Sequence, residues 1–119
     1  MRLRTKLALL NLVVTILILL AFAVSNARAD APPADRNAAV IGSVFGPRYA
    51  EDAVSVSYCE SRLTTTARNG QYRGLFQVSR HWRHTIPGFG PSARAQARHA
   101  RRVFERVGRR WSPTWSCRP

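Results

Sequence analysis

The longest apolar run in the chain comes first. Leu7 to Val24 is interrupted by polar side chains only at Asn11 and Thr15, and it follows a basic start at Arg2, Arg4 and Lys6. The stretch after it ends in Ala27-Arg28-Ala29, an A-x-A pattern. A basic start, an apolar middle and small residues at the exit predict a secretory signal over residues 1–29. The run also approaches the ~18 residues at which a membrane span becomes possible. An uncleaved N-terminal anchor is therefore the alternative, and either reading takes the remainder out of the cytoplasm.

Beyond it the pattern is broken more often. Residues 30–38, with Pro32-Pro33 and three charges, predict a linker, and residues 39–119 a single domain. Gly42, Gly46 and Pro47 punctuate a short approach, with Val44 and Phe45 packed under the first helix. That helix is predicted over Arg48–Arg62, where Ala50, Val54 and Tyr58 recur at helical spacing with Ala53 beside them. Glu51 and Asp52 at its start and Arg62 at its end suit the helix dipole. Cys59 and Glu60 then fall in its last turn.

Asn69-Gly70 signals a turn. Thr64–Thr66 and Tyr72–Val78 are the segments that would pair as a short hairpin, although Leu75–Val78 fits a buried helical turn equally well. Ser79 caps a short helix and Ser92 a longer one. The longer helix buries Ala93, Ala97, Ala100, Phe104 and Val107, stops at Gly108 and carries arginine on its other faces. An irregular tail holding Trp111, Trp115 and Cys117 follows. The pattern contains no internal repeat. The fold class is α+β and predominantly helical, with at most a short β-hairpin.

Charge narrows the partners. The 119 residues carry a formal net charge of +13. Without residues 1–29 the chain has fifteen basic residues, all arginine, against six acidic, a net charge of +9. Such a surplus calls for an anionic partner or surface. With no recognition motif and an exported context, nucleic acid is not expected, and anionic cell-wall polymers are, through the arginine-rich helix. Cys59 and Cys117 are the whole cysteine complement. An even count in a small exported domain favours a disulfide over free thiols or a metal site. The bridge would be worth roughly 4 kcal/mol on the chain-entropy account.

Glu60 is the residue on which chemistry is expected. No other carboxylate occurs between it and Glu105, which sits among arginines and reads as an ion-pair partner. Glycosidic cleavage usually needs an acid for the leaving oxygen and a second carboxylate on the other face. A lone Glu60 would have to do both jobs with the substrate's help. It must also hold a proton near neutrality, which Tyr72, Phe76 or Trp82 beside it would favour and Arg62 or Arg73 would oppose. Gln77 offers a donor and an acceptor for sugar groups or, more plainly, a backbone cap. Trp82 and Tyr72 are candidate platforms for sugar rings, and Ser61 reads as a backbone partner at the helix end. His81 and His84 lack other ligands nearby and make a poor metal site. His99 reads as a surface residue. No metal or cofactor is expected.

Cys59-Glu60-Ser61, then Asn69-Gly70-x-Tyr72-x-Gly74-Leu75-Phe76-Gln77, then Trp82, an alanine-rich helix and the terminal Trp115-x-Cys117 resemble the lysozyme-like domain of bacterial soluble lytic transglycosylases. The branch most similar is the actinobacterial one that includes the resuscitation-promoting factors. The likeness covers roughly Ala39 to Cys117. It implies a mostly helical, lysozyme-like fold that cleaves peptidoglycan glycan strands at the MurNAc–GlcNAc linkage, with Glu60 as the acid; a monomer is expected. It also implies a Cys59–Cys117 bridge and a groove lined by Gly74, Leu75, Phe76 and Gln77. A hydrolytic muramidase and a non-catalytic wall-binding module are the other readings.

Overall fold

The computed structural model describes residues 2–29 and 31–119. Met1 and Asp30, the latter the first residue of the expected linker, lie outside them, as do the side chains of residues 25–29 with the A-x-A pattern. The chain divides into two compact units, residues 1–32 and 33–119. The first is a single helix, α1 (Arg2–Ala29). Its segment Arg2–Val24 is long and apolar enough to cross a membrane, and its leucine, isoleucine and valine side chains are exposed along that length.

The second unit begins where a linker was expected. Pro33 to Phe45 form α2, so the linker reading of 33–38 and the broken approach after it are both corrected. Proline at the first helical position gives up an amide that would be unpaired anyway, and Asp35 in the first turn suits the helix dipole. Asn37 Nδ2 donates to the Leu63 carbonyl at 2.8 Å, tying this stretch into the domain. α2 packs against both α3 (Ala50–Ser61) and α5 (Ala93–Arg106). It delivers Ile41 and Phe45 to the core.

Between them lie β1 (Arg68–Asn69), β2 (Tyr72–Arg73) and α4 (Arg80–Thr85). The strands pair antiparallel, Arg68 with Arg73 and Asn69 with Tyr72. The hairpin thus closes at Gly70, whose φ of +58° glycine adopts without strain, and Thr64–Thr66 take no part in it. Ser79 and Ser92 cap α4 and α5, each hydroxyl accepting an amide three residues on. α3 is rotated relative to expectation. Ala53, Val56 and Ser57 face inward while Tyr58 is 51% exposed and lies against the Arg62 guanidinium, 4.6 Å from its ring centre.

Aromatic rings bind the two ends of the domain together. Phe45 of α2 contacts Phe76, Phe104 and Trp111, with ring centres 5.5 to 5.9 Å apart. Trp111 also stacks on Phe104 at 4.3 Å and meets Trp115 at 5.3 Å. Such offset and tilted pairs add to the gain from burying the rings. The tail after α5 is therefore part of the core, and a Cys59–Cys117 disulfide with Cα atoms 5.9 Å apart fixes it to α3.

Candidate active site

Glu60 sits in the last turn of α3, half-buried, with its Oε1 accepting the Cys117 amide at 3.1 Å and the Ser116 hydroxyl at 3.4 Å. It opens into a hollow of about 260 Å³ lined by Asn69, Tyr72, Gln77 and the tail residues Pro113–Ser116. An adjoining hollow of about 130 Å³ shares Tyr72, Gln77, Thr114 and Trp115 and reaches Trp82. Together they form a groove running from the carboxylate past a tyrosine to two indoles. No second carboxylate lines either hollow.

The turn over residues 74–78 shapes one side of this groove, and side chains hold its backbone in place. Ser57 and Ser61, one turn apart on α3, both donate to the Leu75 carbonyl, at 2.9 and 2.7 Å. The Leu75 amide donates to Gln96 Oε1 of α5 at 2.8 Å. Trp115 Nε1 donates to the Phe76 carbonyl at 2.9 Å. Buried backbone groups need partners of this kind once they leave regular structure. Gly74 is fixed by the same arrangement: at φ +76°, a Cβ there would meet the Gln96 carboxamide at 2.5 Å.

Of the seven residues expected around a substrate, Glu60, Tyr72, Gln77 and Trp82 come together along the groove. Three do not. Leu75 is fully buried and Phe76, 1% exposed, points into the aromatic core, while Gly74 lies beneath a different hollow, behind the hairpin. Their motif sets the backbone path that delivers Gln77, so they support the groove without lining it. Gln77 has φ +46°, and its Nε2 donates to the Ala67 and Gly74 carbonyls at 3.2 and 3.0 Å. Both donors being spent on the fold, Oε1 is the atom Gln77 offers to a ligand. Asn69 and Pro113–Ser116 were missed as site residues. The terminal Trp115-x-Cys117 signal was visible, but only the bridge and the indole hydrogen bond bring that strip back beside Glu60.

The charged groups follow a simple division. Glu105 pairs with Arg101 at 2.7 Å and Arg109 at 2.8 Å, as expected. The hydrogen bond from Arg109 is the main reason its carboxyl is held below the usual range. Arg101 also donates to the Phe45 carbonyl, and Arg102 to Pro87 at 2.9 Å. His99 is a correction: it is 1% exposed, with Nε2 facing the Ile86 and Trp82 carbonyls at 2.9 and 3.2 Å. Two acceptors there require the Nε2–H tautomer. Burial, ahead of the repulsion from Arg102 and Arg83, lowers its pKa.

In comparisons with known proteins, no family model matches the chain, and no match was found among curated proteins or solved structures.

Proposed function

We propose that this chain is an exported enzyme of lysozyme-like fold that cuts the MurNAc–GlcNAc backbone of peptidoglycan as a lytic transglycosylase. The observation that carries the reading is a lone carboxylate, Glu60, at a helix end facing an aromatic-sided groove with no second acid across it. In that setting one group must serve as acid and then as base. Glu60 gives its proton to the bridging oxygen as the C1–O bond breaks and the GlcNAc side leaves with a free hydroxyl. The 2-acetamido group steadies the positive centre at C1. The carboxylate then takes the proton from the sugar's own O6–H while O6 bonds to C1. The product is a 1,6-anhydro sugar, Glu60 ends protonated as it began, and no water is consumed.

Tyr72 and Trp82 give the groove flat surfaces on which sugar rings stack, Trp115 is buried beneath it as part of its floor, and Gln77 Oε1 accepts from a hydroxyl or acetamido N–H. Residues 1–29 bring the domain out of the cytoplasm as a cleaved signal or an anchor. The bridge, whose kind persists in oxidising compartments, agrees with that location. The exposed Arg94, Arg98 and Arg106 of α5 hold the enzyme on anionic wall polymers.

Mass analysis of fragments released from purified cell wall tests the reaction. Wild type should release fragments lighter by one water than hydrolytic products, and Glu60→Gln should lower release by about a hundredfold or more, the scale of a lost acid–base group. Hydrated reducing ends would instead assign a muramidase. Glycan binding with no release by the wild type would assign a binding module.

A further inference from the structure

The β-hairpin is a partition with a hollow on each side. Successive strand residues point to opposite faces, and the register sets Asn69 against Tyr72 and Arg68 against Arg73. The first pair lines the Glu60 groove. The second lines a different hollow of about 390 Å³, walled by Thr65, Thr66, Phe89 and Pro91. That volume falls in the range of about 300–1,000 Å³ usual for small-ligand sites.

The charge at this hollow has no acidic partner among the described residues. Like charges directly opposite on a strand pair destabilise it, yet two arginines occupy this one. No carboxylate lines the hollow, and the ion pairs of the described residues fall on Glu105. Arg83 lies nearby, its guanidinium bonded to the Gln71 and Val78 carbonyls and 5.7 Å from the centre of the Phe89 ring. Its pKa is lowered by burial first and then by Arg73 and Arg80. A local rule broken without an internal compensation marks a functional position.

We propose that this second hollow binds the C-terminal carboxylate of a short peptide. The Arg68 and Arg73 guanidinium groups match a carboxylate's two oxygens. The threonine methyls, Phe89 and Pro91 receive a small aliphatic side chain next to it, which a bare inorganic anion would leave unused. The source of the peptide, though not the site, rests on the proposed function: glycan strands of peptidoglycan carry short peptides, and a strand in the Glu60 groove presents its peptides across a two-residue hairpin.

The test is a calorimetric titration of the full chain in neutral detergent with N-acetyl-D-alanyl-D-alanine, its C-terminal amide and inorganic phosphate. The acid should bind saturably, with the amide at least about tenfold weaker, the scale of one lost charge-assisted hydrogen bond. Arg68→Gln and Arg73→Gln should each weaken binding of the acid by about tenfold, and Glu60→Gln should leave it unchanged. Without ligand, both arginine variants should melt at or above the wild-type temperature, because a repulsion is removed. Equal binding of the amide, unchanged binding by the arginine variants, or phosphate competing as well as the peptide would overturn the site. Lower melting temperatures for both variants would do so too, by making the arginines structural. Peptide binding without wall cleavage would remove the proposed function alone, and wall cleavage without peptide binding would remove this site alone.

Discussion

Gln77 shows how a single side chain holds a strained position. A non-glycine residue at φ +46° costs on the order of 1 kcal/mol or more, and its two amide contacts to Ala67 and Gly74 offset that. Gln77→Leu keeps the bulk and removes both contacts, so chemical denaturation should show a loss of about 1–3 kcal/mol. His99 sets a pH dependence of stability. Its folded pKa lies below the ordinary 6.5, so the unfolded chain takes up a proton that the native state refuses. Stability is therefore complete above about pH 6.5 and declines as the pH falls below it. The charged groups facing it, Arg102 and Arg83, oppose protonation, and its Nδ1 lacks a hydrogen-bond partner. The melting temperature should be level above pH 7 and drop toward pH 5, with a shallower drop in His99→Gln. The place of Glu60 in the last turn of a helix was legible in the sequence, because Glu51 and Asp52 mark the start of that helix and Arg62 its end. His99 was not, because its arginine neighbours conceal that the buried face of α5 includes positions 96, 99 and 103.

Among the elements, α2 was the one the sequence concealed. Pro32-Pro33 resembles a spacer and Gly42 a break, yet the helix runs through both Pro33 and Gly42 because Ile41 and Phe45 gain so much by burial. The start signal, Pro33 followed by Asp35, was present and outweighed by composition. Gly42 has a specific consequence: a Cβ there would lie 3.7 Å from that of Ala50, an ordinary contact. Gly42→Ala should therefore raise stability by about 0.5–1 kcal/mol through helix propensity. Phe45→Ala, at the centre of the ring cluster, should cost about 3–5 kcal/mol. The starts of α4 and α5 were legible to the residue, since a serine cap acts locally and needs nothing from the rest of the chain. The hairpin was legible only as a turn. Two-residue strands carry too little alternation to fix their register, and Arg83, which bonds the Gln71 and Val78 carbonyls at 2.8 and 2.7 Å, helps to hold them.

At the level of the whole molecule, the arginine surplus is less uniform than the composition implied. Arg83, Arg101 and Arg102 are committed to backbone carbonyls, leaving exposed cations such as Arg94, Arg98 and Arg106 to meet the surroundings. Binding to purified wall should weaken severalfold between 0.05 and 0.5 M salt, roughly the span over which charge screening takes hold, as a pull-down would measure. Replacing both cysteines by serine should lower stability by about 4 kcal/mol, given the separation of 58 residues between them, and should abolish wall cleavage along with it. That last effect follows from where the groove gets its far side. Pro113–Ser116 reach Glu60 from more than fifty residues downstream, and the sulfur link joins the Trp115 indole bond and the ring cluster in keeping them there. The candidate site is therefore completed by an oxidation: until the two thiols join, no covalent tie holds its far wall beside Glu60.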